Sequence, residues 1–265
     1  MNWEELTGDV FPGAVKQAKG VCLLPLSCLE RHGHHLPLGT DTYIVRELCR
    51  RAADLEPALI FPDYPFTQIL EARHTPGCIG IDPDLMVRLL DTVCREIARN
   101  GLDKIVLVNG HGGNNHLIYY FAQTQLAEPH DYVVYVPEPP YMSEEPETKA
   151  QWETTIDDHA GENETSAMLA IRPGLVDKSS LRRDGEGMPR GRLKELGEAK
   201  VYTGVWWYAD HPTHYCGDGT FGSPEKGERW LADRSRALAN VIKTIKDDKK
   251  TRRLQDEFFR KIRKP

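Results

Sequence analysis

Carboxylate and imidazole side chains gather in the first of three short segments, ERHGHHLPLGTD at positions 30–41. Glu30 and His32 are two residues apart, so their side chains leave the same face of an extended chain. A turn rich in glycine and proline then returns the chain to Asp41. Two carboxylates and an imidazole that converge in this way suit zinc, manganese or iron(II). The alternative is a helix capped by Thr40 or Asp41 beside surface histidines.

A second segment, NGHGGN at positions 109–114, places His111 among three glycines. Glycines let the backbone approach a bound ligand closely, which favours a metal-binding role for this histidine. A nucleotide-phosphate turn is the alternative, because glycines that follow a strand can also hold phosphate. This segment has neither the GxGxxG spacing nor the GK[ST] sequence of such turns. The metal-ligand interpretation is therefore preferred.

The third segment, DHAGENETS at positions 158–166, contains His159 and two glutamates, Glu162 and Glu164. Thr165 or Ser166 could cap the apolar helix that follows, and acidic residues suit the first turn of a helix. That explanation accounts for one glutamate and leaves the histidine unexplained. The segment lacks the GxSxG sequence of serine hydrolases, so a nucleophilic serine is not expected.

Together the three segments resemble the motifs of the creatininase family, E-x-H-G-x-H-L-P-L-x-T-D, N-G-H-G-G-N and H-A-G-x-x-E-T-S, and they occur in the same order. The resemblance implies a set of metal ligands, namely Glu30, His32, Asp41 and His111. It also implies that Asp41 bridges two divalent ions and that His159 transfers a proton beside them. Creatininase-like proteins form closed homo-oligomers, often hexamers, and act on small molecules.

Two positions depart from creatininase itself. Creatininase has a glutamate two residues after the histidine of its N-G-H motif, whereas this chain has Gly113. The second metal therefore needs another carboxylate, for which we expect Glu164 in preference to Glu162. The tryptophan that covers creatinine in creatininase is replaced by Thr155, so creatinine is not the expected substrate.

The expected reaction is hydrolysis of a small cyclic or formyl amide, in which a metal-activated hydroxide attacks the carbonyl carbon. His159 would deliver the proton to the leaving group, because imidazole titrates near neutral pH. One alternative within the same family is cleavage of a carbon–carbon bond in a keto-inositol of the 3-dehydro-scyllo-inosose type. Another is a non-catalytic protein stabilised by metal. Structural zinc sites usually contain thiolates, and none of the six cysteines lies inside the three motifs.

The elements predicted around these segments alternate between strand and helix. Apolar runs predict strands at 21–29, 58–62, 104–108 and 131–136, and helical periodicity predicts helices at 42–55, 84–100, 115–126 and 225–246. This alternation predicts an α/β fold with a mainly parallel sheet flanked by helices, in agreement with the three-layer fold that the resemblance implies. Active groups in such sheets lie at the carboxyl ends of the strands.

The remaining segments complete the expected organisation. We expect one domain over 1–265, with the motifs inside 21–177 and C-terminal helices inside 225–265. Polar, irregular sequence predicts long loops at 141–158 and 180–216, and long loops in compact domains are often functional. The loop at 180–216 is expected to supply contacts between subunits.

Composition limits the other classes of function. The 265 residues are 40% hydrophobic and 28% charged, which is ordinary for a globular protein. The net charge is −6 despite a basic segment at 249–264, so the acidic body argues against a nucleic-acid-binding surface. Apolar stretches are far shorter than the roughly 20 residues of a membrane span. With no signal-peptide pattern and no CxxC pair among the cysteines, a cytoplasmic location is expected.

Overall fold

Four parallel strands form the sheet of the computed structural model, which describes residues 1–137, 145–182 and 185–262. The strands are β1 (Val21–Leu26), β2 (Leu59–Ile60), β3 (Lys104–Asn109) and β4 (Val133–Tyr135). Their order across the sheet is β2-β1-β3-β4. Every residue of β1 is buried. Burial on both faces explains why this strand is a continuous apolar run and does not alternate with polar residues.

Helices connect and cover these strands. In chain order they are α1 (Phe11–Gln17), α2 (Thr40–Leu55), α3 (Pro83–Arg99), α4 (Asn115–Thr124), α5 (Pro146–Ala150), α6 (Glu162–Ile171), α7 (Lys194–Glu198), α8 (Trp206–Asp210), α9 (Pro224–Asp247) and α10 (Thr251–Ile262). The Asp82 side chain caps α3 by accepting hydrogen bonds from the N–H groups of Asp84 and Leu85. The Ser223 side chain caps α9 by accepting from the N–H of Lys226. Both caps satisfy amides that a helix leaves unpaired.

The helices lie on both faces of the sheet. On one face, Leu24 of β1 shares a hydrophobic cluster with Leu90 of α3 and Phe121 of α4. On the other face, Leu23 shares a cluster with residues of α2 and with Ile242 of α9. Neighbouring residues of β1 thus face opposite layers, as the period of a strand requires. The predicted α/β class, with a parallel sheet between helices, is confirmed.

The point between β1 and β3 is where the chain changes direction across the sheet. From β1 the chain first adds β2 on one side, then crosses to add β3 on the other side. The two central strands are aligned so that Leu26 pairs with Asn109 at their carboxyl ends. Ligands of open parallel sheets bind at such a switch point. The first two motifs begin directly beyond these two strand ends.

The third motif is held by contacts between α6 and the helices α2 and α9. Met168 of α6 lies in a hydrophobic cluster with Leu48 of α2 and Leu231 of α9. The helices α6 and α9 approach closely at Gly227, where an added Cβ would collide with the backbone of Ser166. A glycine is therefore required at this crossing, and the tight packing fixes the position of α6.

Some boundaries differ from the prediction for physical reasons. β1 ends at Leu26 and not at position 29, because the following residues leave the sheet and form the loop that carries Glu30. α2 begins at Thr40, two residues before the predicted start. Its N-cap is Gly39, and no side chain caps it. The alternative in which Thr40 or Asp41 serves as a cap is therefore wrong.

The two predicted loops are only partly irregular. The region 180–216 contains α7 and α8, and the region 141–158 contains α5. Residues 141–144 of the predicted loop at 141–158, residues 183–184 of the predicted loop at 180–216 and residues 263–265 near the C-terminus lie outside the described residues. Within the described ranges, no helix has both the length and the apolar character needed to cross a membrane. All six cysteines are free, as expected for reduced thiols.

Candidate metal centre

The carboxyl ends of β1 and β3 bring the first two motifs together. Nδ1 of His111, which follows β3, lies 2.7 Å from Oε1 of Glu30, which follows β1. Asp41 reaches the same point from the first turn of α2, with its Oδ2 3.2 Å from Nδ1 of His111. Nε2 of His32 lies 3.1 Å from Oδ1 of Asp41. All four side chains are buried, so four of the predicted ligands form one compact group.

Asp41 occupies the middle of this group. One of its carboxylate oxygens faces His32 and the other faces His111. This is the arrangement of a carboxylate that can be shared between two cations. Glu164 of α6 stands on the His32 side, with its Oε2 3.8 Å from Nε2 of His32. The structure thus gathers the five predicted ligands, from three motifs, at one place.

The donor set fits divalent cations because no lysine or arginine among the described residues pairs with its carboxylates. Among the described residues, the ion-pair partners of Glu30, Asp41 and Glu164 are histidines, and none is a lysine or an arginine. Buried carboxylates are costly unless positive charge stands beside them. Mixed carboxylate and imidazole donors also match the preference of borderline divalent metals. The residues present are therefore suited to hold such ions.

The pKa values of the cluster also show that its carboxylates favour nearby positive charge. Burial lowers the pKa of His32, but the nearby Asp41 carboxylate, with Glu164 and Glu30, outweighs burial and raises it to about 10. Burial raises the pKa of Glu164 to about 8, against the lowering effect of His32. Without cations, protons retained on His32 and Glu164 thus compensate the negative charge of the cluster. Bound divalent cations would replace these protons.

The two glutamates of the third motif point in different directions. Glu164 faces His32, whereas Glu162 is fully buried elsewhere. The carboxylate of Glu162 accepts hydrogen bonds of 2.9 Å from the backbone N–H and the hydroxyl of Thr154, and it pairs with Lys226. The carboxylate of Glu162 is therefore already paired, and these contacts hold α6 against the loop before it. The geometry favours Glu164 as the ligand.

His159 stands beside the cluster, with its ring centroid 4.2 Å from that of His32. Its Nε2 lies 2.7 Å from the carbonyl oxygen of Arg31. Because a carbonyl only accepts, Nε2 carries the proton and Nδ1 is the acceptor of the ring. Burial lowers the pKa of His159 to about 3, although Glu30 opposes this effect. Burial thus keeps the ring neutral, whereas the sequence suggested titration near neutral pH.

His214, which lies outside the three motifs, completes the surroundings of Glu30. Its Nδ1 accepts a hydrogen bond of 2.8 Å from the indole N–H of Trp207. An indole nitrogen only donates, so Nδ1 carries no proton and Nε2–H donates to the Glu30 carboxylate. Sequence analysis missed both residues, because His214 is 184 positions from Glu30 and belongs to no motif.

Cys28 is another residue that sequence analysis missed. Its Sγ lies 3.2 Å from Oε1 of Glu30 and 3.2 Å from Oδ2 of Asp41. Burial, reinforced by the two carboxylates, raises the pKa of this thiol well above its usual value. The sulfur therefore keeps its proton and donates to the carboxylates. Cys28 lies outside the three motifs in sequence but beside the site in space, and its spacing of two residues from Glu30 was the available signal.

A cavity of about 700 Å³ opens onto the cluster. Glu30, Asp41 and His111 are among the residues that line it. Aromatic and apolar side chains also line it, namely Leu70, Leu117, Tyr202, Trp206 and Trp207. The Trp207 ring stands edge-on to His159, with centroids 5.8 Å apart. A concave, largely apolar space with a few polar groups at one point is typical of a small-molecule site.

Known proteins resemble this chain over most of its length. The Creatininase family model, described as creatinine amidohydrolase, matches residues 4–242. The creatinine amidohydrolase of Pseudomonas putida is 29% identical over 191 residues, which are 65% of this chain and 72% of that protein. The mycofactocin precursor peptide peptidase of Mycolicibacterium smegmatis is 30% identical over 239 residues, which are 86% of this chain and 86% of that protein.

Solved structures agree with the sequence relatives. A crystal structure of creatinine amidohydrolase (creatininase) matches with a TM-score of 0.78 and 25% identity, covering 93% of this chain and 98% of that one. Similar structures include creatininases of a zinc–zinc type and of a manganese form. The fold and these relatives define a metal-dependent hydrolase that acts on C–N bonds. The chain belongs to the creatininase family.

Proposed function

We propose that the chain is a hydrolase that uses two divalent cations to cleave an amide bond of a small substrate. The observation that carries this proposal is the position of Asp41, whose two oxygens face His32 and His111 respectively. Glu30 and His111 would hold one cation with Asp41, and His32 and Glu164 would hold the other. Zinc, manganese and iron(II) all suit these donors.

The residues around the cations orient the reactants and move protons. When bound, the cations supply Lewis acidity, which polarises a carbonyl oxygen and lowers the pKa of water. His159, with its Nε2–H on the carbonyl of Arg31, presents Nδ1 as a base and accepts a proton from the attacking water. The water oxygen adds to the carbonyl carbon. The C–N bond then breaks as His159 passes that proton to the leaving nitrogen, which departs as a neutral amine.

A small cyclic or formyl amide is the proposed substrate class. Tyr202, Trp206 and Trp207 offer flat aromatic faces on which a planar amide or ring can stack. A short peptide is the second candidate. Two observations favour it, the cavity volume of about 700 Å³ and the 30% identity to a relative named as a peptide peptidase.

The other two alternatives have less support. A relative named 3-dehydro-scyllo-inosose hydrolase, from Thermotoga maritima, is 22% identical over 84% of this chain. Its identity to this chain is lower than that of the relatives named as a creatinine amidohydrolase and a peptide peptidase. A non-catalytic metal site would be enclosed by protein on all sides, and the open cavity in front of the cluster argues against it.

The first prediction compares the two glutamates of the third motif. In Glu164→Gln an amide replaces a charged ligand, so we expect one of two bound ions to be lost. Metal content after dialysis, measured by plasma emission spectrometry, should fall from about two ions per chain to about one. Glu162→Gln is the matched control on the same helix. It should keep both ions while thermal stability falls, because Lys226 loses its buried charged partner and keeps only Glu153.

Two results would count against the proposal. Equal metal content in Glu164→Gln and the wild-type protein would remove Glu164 from the ligand set. A wild-type protein that saturates at one ion per chain would contradict the use of two cations.

A further inference from the structure

The space beside Gly113 is filled by a side chain from another segment. An added Cβ at Gly113 would collide with Oε1 of Glu71 and with Nε2 of His111. Any residue other than glycine would therefore have to displace the Glu71 carboxylate. A carboxylate thus stands beside His111 even though this chain lacks the glutamate that creatininase carries at the position of Gly113.

His111 uses its two ring nitrogens unequally. Nδ1 faces the carboxylates of Glu30 and Asp41. Nε2 is buried and has no hydrogen-bond partner among the described residues. Its nearest carboxylate is that of Glu71, with Oε1 at 3.8 Å. When Nδ1 binds a cation, Nε2 must carry a proton, and a buried N–H without an acceptor is costly.

Glu71 is aimed at His111 by contacts between their two loops. The side-chain nitrogen of Gln68 donates to Oε2 of Glu71 at 2.7 Å and to the carbonyl of Gly113 at 3.3 Å. The backbone N–H of Gln68 donates to the side-chain oxygen of Asn114 at 3.1 Å. The segment carrying Glu71 is therefore fastened to the turn carrying His111. The distance of 3.8 Å exceeds a hydrogen bond by about 1 Å, which rotation of the Glu71 side chain can close.

We propose that Glu71 is the carboxylate partner of the metal-binding His111. Oε1 of Glu71 accepts the Nε2–H of His111, which fixes the orientation of the ring and makes Nδ1 a stronger donor. Removal of a carboxylate in this position typically weakens metal binding by roughly 10- to 100-fold. This inference rests on the proposed metal-binding function and makes Glu71 a positioning residue.

The test measures zinc affinity directly, by titrating the metal-depleted protein in competition with a chromophoric chelator. In Glu71→Ala we expect one zinc ion to bind about 10- to 100-fold more weakly. Glu186→Ala is the matched control, because Glu186 has the same 18% side-chain exposure and also pairs with a histidine, His34. It should bind zinc as the wild-type protein does. Thermal melting confirms that each variant is folded.

A double variant separates the proposed role from a general loss of structure. In a His111→Ala background, Glu71→Ala should leave the affinity of the remaining ion unchanged, because its effect passes through the imidazole.

Three results would overturn the inference. They are unchanged zinc affinity in Glu71→Ala, the same loss in Glu186→Ala, and a further loss when Glu71→Ala is added to the His111→Ala background. A wild-type protein with only one zinc ion would contradict the use of two cations but not this inference. In that case the effect of Glu71→Ala is read on the ion that His111→Ala removes.

Discussion

Glu30 is the carboxylate at which distant parts of the chain meet. Its Oε1 faces His111, and its Oε2 faces His159 and His214. Burial raises the pKa of Glu30, but these imidazoles outweigh burial and hold it well below its usual value. Glu30 therefore stays ionised, and the Nε2–H of His214 fixes one of its oxygens. The other oxygen is left to face the position between His111 and Asp41.

Glu30 stays ionised, whereas the ring of His159 is neutral and can accept a proton. This difference leads to a prediction about proton transfer. His159→Ala should keep both metal ions, because the ligand groups remain. Its rate should fall by about 10²- to 10⁴-fold, the usual range for general acid–base help. Substrates with good leaving groups need little protonation, so an activated amide should recover much of this loss. Metal analysis and turnover of matched activated and unactivated amides check these expectations.

The exposed His34→Ala is the control for this variant and should keep the wild-type rate. A metal-depleted His159→Ala would make His159 a ligand. A wild-type rate in His159→Ala would show that His159 takes no part in the reaction.

The ligand residues could be predicted from the sequence because each motif holds its donors within a few positions. Spacing placed Glu30 and His32 together, and the resemblance added the roles of the others. His214 and Glu71 could not be predicted, because they reach the cluster only through tertiary folding. No local pattern marks either residue. Cys28 was predictable from its spacing and was overlooked.

The crossing of α6 and α9 sets the position of Glu164. Gly227 lets the backbones of the two helices approach, and an added Cβ would collide with Ser166. Gly227→Ala should therefore lower the free energy of unfolding by about 1–3 kcal/mol, the usual cost of overpacking. Gly13→Ala in α1 is the control. Its Cβ would meet nothing within 4 Å, so the change should be neutral or slightly stabilising.

Urea unfolding of both variants measures the difference. A Gly227→Ala protein as stable as Gly13→Ala would show that the helices can move apart at no cost. In that case the close crossing would not be what positions Glu164.

Long amphipathic elements were predicted more accurately than short ones. α9 was predicted at 225–246 and spans Pro224–Asp247, and α3 was predicted at 84–100 and spans Pro83–Arg99. Many periodic residues define such helices. β2 was predicted at 58–62 and comprises only Leu59–Ile60, because pairing with β1 and not apolar sequence decides where an edge strand ends.

An exposed apolar patch leads to a prediction about assembly. Between α7 and the end of α8, three residues outside the cavity lining are each at least 40% exposed, namely Val201, Val205 and Tyr208. Exposed apolar side chains grouped in this way often mark contacts between proteins. We expect this patch to join copies of the chain in a closed oligomer, with a hexamer of the 30.1 kDa chain favoured by the family resemblance.

Light scattering at micromolar concentration gives the mass in solution. Val205→Asp should lower it, because a charge would enter the interface. Leu254→Asp, at a similarly exposed residue of α10, should leave the mass unchanged. A monomeric wild-type protein would defeat the expectation of assembly, and an unchanged mass in Val205→Asp would place the contact elsewhere.

The late position of α9 in the chain affects when, during synthesis, the metal site can form. Leu238 and Ile242 of this helix cover the face of the sheet that includes Leu23 and Val106. During synthesis from the N-terminus, all four strands and all three motifs leave the ribosome before α9 does. Until α9 docks, α2 covers that face without its second helix, and α6 lacks the helix that positions Glu164. We therefore expect the cation held by Glu164 to bind only after α9 has been synthesised.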